Sequence, residues 1–158
     1  MGLGLKIALV AGQAIDFTSD EGVIALMARH ITQGQWPLFY YGEAYVGSLG
    51  ATLTAGAFLL LGESVETARL VQIALYAGTM LFTLLLAHRL FGPKAVGVTA
   101  LMMAFPPVMV TLYTTAGIGA YGETLLLGAV LLWLGERLAG DWQDRWWGWA
   151  IWGAVSYT

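Results

Sequence analysis

The chain has 158 residues, 58% of them hydrophobic and only 11% charged, with a mean hydropathy of +0.71. A soluble domain carries roughly 25% charged residues, so the composition argues for an integral membrane protein before any motif is considered. A net charge of −3 without a basic block argues against a nucleic-acid partner, and the lack of cysteine removes disulfides and thiolate chemistry.

The first element is "MGLGLKIALVAGQAIDF". One lysine ahead of a short apolar run resembles a signal peptide, but Ile15, Asp16 and Phe17 form no small-residue cleavage site. The stretch is expected to be a short first membrane helix over about 3–17.

Residues 18 to 66 form a long polar and aromatic segment. Thr18 and Glu21 fit a capping box ahead of an apolar run. Val23, Met27 and Ile31 then recur at helical spacing, with Arg29 on another side. This predicts an amphipathic helix lying at a membrane surface. "GQWPLFYYGEAYVG" is rich in Trp and Tyr, as membrane interfaces are. "SLGATLTAGAFLLLG" predicts a second short helix, with Gly47, Ala51 and Ala55 as a small-residue stripe for close packing and Gly62 as its stop.

The uncharged run Leu70–Ala87 would rise about 27 Å as a helix, close to the thickness of a bilayer core. Gly92-Pro93 turns the chain. A second apolar run, Ala95 to about Thr111, is interrupted by Pro106 and Pro107 near its far end, which mark an exit or kink. A further helix is expected over about 118–138, then a polar turn "AGDWQDR" and a last helix from Trp146. That helix meets the chain end after about 13 uncharged residues, where a span needs about 20. The chain is therefore expected to be part of a larger membrane protein. In all, the sequence predicts an all-α integral membrane fold, a multi-span helical bundle forming one membrane domain. The spans fall near 3–17, 68–88, 94–112, 118–138 and 145–158, and an outer loop over about 18–66 carries juxtamembrane amphipathic helices.

Orientation follows from Lys and Arg. Lys6, Arg89, Lys94, Arg137 and Arg145 share one side if the helices alternate; Arg29 and Arg69 share the other. The first side is then cytoplasmic. Asp20, Glu21, Glu43, Glu63 and Glu66 face outward.

The outward face collects the candidate site. Asp20 and Glu21 suit a helix N-terminus, where acids complement the macrodipole. A cap made by Thr18 and Glu21 leaves Asp20 free to act as a base, or either acid as a metal ligand. Glu123 lies near the outer end of an otherwise uncharged stretch, where a carboxylate is costly and usually faces a cavity or a partner. Arg69 reads either as a snorkelling interfacial residue or as a clamp for an anionic headgroup. Tyr40, Tyr41 and Tyr45 read as belt aromatics or as the wall of a polar pocket. Trp142, Trp146, Trp147, Trp149 and Trp152 read as belt residues. His30 and His88 lack metal-motif spacing.

These residues carry a family resemblance. Asp20-Glu21, Ala28-Arg29, Gly34, Tyr41-Gly42, Tyr45, Gly47, Leu61-Gly62 and Ala68-Arg69-Leu70 stand in the order found in the first outer loop of GT-C-type membrane glycosyltransferases. The closest resemblance is to glycosyltransferase family 39, the dolichyl-phosphate-mannose protein mannosyltransferase-like enzymes, in its bacterial branch. "HRLFGPKAVGVTALMMAFPP" is similar to the family's next segment, and "GAYGETLLLGAVLLWL", with Tyr121 and Glu123, to its later Gly-x-Tyr-x-Glu motif. Glu43 stands where Gln is more usual, and only the N-terminal part of a family member is covered.

The resemblance implies an inverting sugar transfer from a polyprenyl-phosphate carrier in the cell membrane to a protein, lipid or glycan acceptor on the outer face. It implies Asp20 as general base, Glu21 as a residue that orients substrate or assists a divalent cation, and Arg69 beside the carrier phosphate. Tyr41, Glu43, Tyr45, Tyr121 and Glu123 are the substrate-binding candidates. The rival reading is a non-catalytic multi-span protein, a transporter or channel segment. It calls for acids along a path through the bilayer, whereas these acids gather at one face.

Overall fold

The computed structural model describes residues 2–140 and 146–157. Its elements run α1 (Gly2–Ala11), α2 (Ser19–Thr32), β1 (Phe39–Tyr40), β2 (Glu43–Gly47), α3 (Leu49–Leu61), α4 (Val65–Phe91), α5 (Pro93–Ala104), α6 (Val108–Tyr113), α7 (Tyr121–Gly140) and α8 (Trp146–Tyr157). Asp141 to Arg145 lie outside the described residues, and with them the polar turn holding Trp142 and the Arg145 charge. The side chain of Trp146 lies outside them too.

α4 is the central element. It has 27 residues, roughly 40 Å of helix, and among the described residues it alone is long and apolar enough to cross a membrane. Ser64 caps its start by accepting from the Thr67 amide, and Gly92, at φ 80°, ends it. α7 runs parallel to α4: Gly122 meets Gln72, Gly78 meets Leu126, and Arg89 pairs with Glu136 at the far end. Phe82 and Trp133 pack edge to face at 5.4 Å along the way. α5 packs back along α4, where the Tyr76 hydroxyl donates to the Met103 carbonyl at 2.8 Å, and α8 lies antiparallel on α7, with the Trp152 indole donating to the Leu131 carbonyl at 3.0 Å.

The apolar run expected over 94–112 is broken. α5 stops at Ala104, and α6 starts only after Pro107. Proline has no N–H to donate and crowds the preceding turn, so two in succession end the helix.

Lys6 departs from its expected place. Its ammonium is buried against α6 and the middle of α4, donating to the Thr111 carbonyl and the Thr114 and Thr115 hydroxyls at 3.1, 2.6 and 2.9 Å. It also sits 4.4 Å from the centre of the Tyr76 ring. The reason is that α1 begins level with Met103 and Ala104, where a Cβ on Gly2 would touch their backbone. Lys6 therefore does not join Arg89 and Lys94 at the other end.

The segment after α1 folds into a cap over the α4–α7 pair. α2 lays Met27, Ala28 and Ile31 on Ala51, Ala55 and Phe58 of α3, forming the buried apolar cluster. Ala51 and Ala55 let the two backbones approach, as the small-residue stripe predicts, but Gly47 falls in β2 and not in the helix. Gly62 stops α3 at φ 89°. The aromatic stretch between the two helices, expected as loop, forms an antiparallel pair with Phe39 opposite Gly47 and Tyr40 opposite Glu43. Gly42 turns it at φ 92°, a conformation that favours glycine, and the aromatic and Val residues suit a pleated surface.

Candidate functional site

The site starts from the α2 N-terminus. The Thr18 hydroxyl accepts from the Glu21 amide at 3.3 Å, and the Thr18 amide donates back to Glu21 Oε2 at 3.2 Å. This is the capping box the sequence predicts. Glu21 also takes two bonds from Arg69 at the start of α4: Nε to Oε1 at 2.7 Å and Nη2 to Oε2 at 2.9 Å. Nη2 reaches the Asp16 carbonyl as well, at 3.3 Å. The side chains are 6% and 2% exposed, so two full charges are held together away from water. The residues expected to touch substrate or phosphate therefore hold each other.

Asp20 takes a different course. One residue before Glu21 on the helix, it is half-buried and lines a cavity of about 440 Å³ with Glu43, Tyr45, Tyr113, Tyr121 and Thr124. Four sequence-predicted site residues from three elements meet there: Asp20, Glu43, Tyr45 and Tyr121. The loop 114–120 closes one side. Gly117 packs so near α2 that a Cβ would lie 3.1 Å from the Ile24 side chain, and Gly119, at φ 56°, turns the chain into α7. The Tyr113 and Tyr121 rings pair at 4.7 Å and form an aromatic wall.

Tyr40 ties the hairpin to this site by donating to the Asp20 carbonyl at 3.1 Å. Burial pushes its hydroxyl up to about 12, and the nearby Asp20 and Glu43 carboxylates add to the rise, because all three disfavour a phenolate. Tyr45 stands 84% exposed at the rim. Tyr41 is not in the cavity; its hydroxyl lies 2.8 Å from His30 Nδ1.

Glu123 occupies a second cavity of about 390 Å³ with Gly47, Ser48, Gly50, Thr52 and Leu127. The two cavities share Ala120 and Thr124 as a common wall. Glu123 is 5% exposed, and its Oε2 has no hydrogen-bond partner among the described residues.

Among the described residues no three of His, Cys, Asp or Glu come together as a metal-holding group. Asp20 and Glu21 as a ligand pair do not fit this geometry, since Glu21 is already bound through both oxygens to Arg69 and Thr18.

Sequence reasoning missed Tyr113, Thr124 and Gly50. Tyr113 ends an apolar run and Thr124 adjoins Glu123, which were weak signals. For Gly50 no local signal existed, because its importance comes from a side chain on another helix.

The family model for dolichyl-phosphate-mannose-protein mannosyltransferases matches residues 47–156. No curated protein and no solved structure matches the chain.

Proposed function

The chain belongs to the dolichyl-phosphate-mannose-protein mannosyltransferase family, and on that premise we propose that it presents the general base of a multi-span membrane glycosyltransferase. The family implies membrane glycosyltransferase activity with a lipid-linked sugar donor and a protein acceptor in general. The finer reading is inverting transfer from a polyprenyl-phosphate sugar to an acceptor hydroxyl at the outer face of the cell membrane.

The observation that supports this reading is the cavity shared by Asp20, Glu43, Tyr45 and Tyr121. In the proposed step the Asp20 carboxylate accepts the acceptor's hydroxyl proton. The hydroxyl oxygen attacks the anomeric carbon from the side opposite the phosphate. The bond from that carbon to the phosphate oxygen breaks, and polyprenyl phosphate leaves with the electron pair. The Tyr113–Tyr121 wall offers a flat apolar surface to the acceptor. Glu43 and Tyr45 accept and donate at the rim. Arg69 acts through Glu21: it fixes the first turn of α2 and so sets the direction of Asp20. No step runs through a metal ion.

The test is Asp20→Asn in the full-length protein in membranes, read as transfer of labelled sugar from a polyprenyl-phosphate donor. The substitution keeps shape and removes the base. Transfer is expected to fall by roughly 10²–10⁴ with normal expression. Transfer at the wild-type rate would remove Asp20 from the mechanism.

A further inference from the structure

Resting on the transferase reading, we propose that the cavity between α3 and α7 binds the sugar ring of the lipid-linked donor, with Glu123 accepting hydrogen bonds from its hydroxyls. Glu123 lies in the first turn of α7 and is almost completely buried. An unpaired carboxylate oxygen in such a place is destabilising. Packing alone gives no reason to keep it.

Gly50 on α3 is its complement. A Cβ there would lie 1.7 Å from Glu123 Oε1, so the carboxylate fits against α3 only because residue 50 has no side chain.

The lining mixes acceptors with donors: the Ser48 hydroxyl makes no cap hydrogen bond, and the first amides of α3 at Leu49 and Gly50 open onto the same space. The Thr52 hydroxyl donates to the Ser48 carbonyl at 2.9 Å, and the Thr124 hydroxyl donates to the Ala120 carbonyl at 2.7 Å. Both spend their hydrogen on their own helix and offer lone pairs to the cavity. Glu123 adds two more acceptor oxygens. Such a wall suits a ligand that both gives and accepts hydrogen bonds, which a polyhydroxy ring does. A volume of about 390 Å³ is in the range of small-molecule sites.

Position selects donor over acceptor. The cavity adjoins that of Asp20 across Ala120 and Thr124. The base takes its proton from the acceptor, so the acceptor belongs on the Asp20 side and the donor sugar on the other. The second cavity also runs down α7 to Leu127, the direction from which a lipid tail would enter.

The experiment measures binding to the full-length protein in lipid nanodiscs. The probes are polyprenyl phosphate bearing mannose, glucose, N-acetylglucosamine or arabinose, the bare polyprenyl phosphate, and soluble methyl glycosides. Wild-type protein is expected to prefer at least one sugar-bearing lipid over the bare carrier. Glu123→Gln and Gly50→Ala are each expected to cut that preference by roughly tenfold or more, leaving bare-carrier binding unchanged. Ligand-free Glu123→Gln is expected to melt no lower than wild type, because the buried Oε2 has no hydrogen bond to lose. Where Gly50→Ala fails to fold, Glu123→Asp takes its place: it keeps the charge, retracts the oxygens and should also lose the preference.

A sugar preference that survives Glu123→Gln, or a lower melting temperature in that variant, overturns the subsite and leaves the transferase reading standing. Glu123-dependent binding of methyl glycosides without any preference among the lipids overturns the donor assignment. A wild-type protein that binds none of the lipids overturns both proposals.

Discussion

Arg69 grips both carboxylate oxygens of Glu21 across 48 residues of sequence, at 2.7 and 2.9 Å, with both side chains buried. The pair joins the start of α2 to the start of α4 and thereby places Asp20. Removing one partner leaves the other charge buried and alone, which costs about 3–5 kcal/mol. Arg69→Met is expected to be destabilised by that amount in thermal or denaturant unfolding, and Arg69→Met with Glu21→Leu to recover most of it. An Arg69→Met protein as stable as wild type would mean that the pair contributes nothing to the fold.

Adjacent acids should respond differently. Asp20 is half-buried and makes no ion pair among the described residues, so Asp20→Asn is expected to stay within about 0.5 kcal/mol of wild type in stability. Glu21→Gln, which loses the charge facing Arg69, should be clearly destabilised. Side-by-side melting curves check this, and equal losses would argue against the division of labour between the two.

Tyr40 makes the fold sensitive to alkali. Its hydroxyl has its ordinary value of 10.0 when unfolded and about 12 in the folded chain. The unfolded state therefore loses this proton first as pH rises. The contribution is fully present below pH 10, declines from there and is gone above about 12. Tyr40→Phe is expected to flatten the loss of stability across that window, and a difference titration of phenolate absorbance should place one tyrosine near 12. An unchanged alkaline profile in Tyr40→Phe would refute the assignment.

Lys6 is held by three oxygens and the Tyr76 ring. Lys6→Met keeps most of the volume and removes three charge-assisted hydrogen bonds, although the Thr111 carbonyl keeps the one from the Thr115 hydroxyl. A cost of about 1–3 kcal/mol is expected, read as a lower melting temperature in detergent. A gain in stability would show that the ammonium is a burden to the fold.

Packing of α2 on α3 depends on small residues. Ala55 is buried beneath Met27 and Ala28, and Ala55→Leu is expected to cost about 1–3 kcal/mol by overpacking, measured by denaturant unfolding. Ala57→Leu, one turn face away on the same helix, serves as the comparison and should be tolerated better.

Much of the helical layout was legible because its signals are local. A capping box needs only residues 18 and 21, Gly62 and Gly92 end helices through their own backbone angles, and two prolines break α5 from α6 wherever they stand. The hairpin at Phe39–Gly47 was less legible, since its strands are short and its aromatics read equally well as an interfacial belt. Lys6 was misplaced because counting charges by loop assumes full-length spans, and α1 is only 10 residues long.

The sequence by itself determined the helical character, the caps and stops, and the family membership carried by residues 47–156. These depend on backbone preferences and on short spacings that fold the same way in any context. Only the tertiary structure decided what each acid does. Glu21 turned inward to Arg69, Asp20 toward a cavity, and Glu123 into a notch left by Gly50. Those outcomes depend on which partners arrive from distant parts of the chain, and charge, burial and the absence of one Cβ then separate three carboxylates that look alike in one dimension.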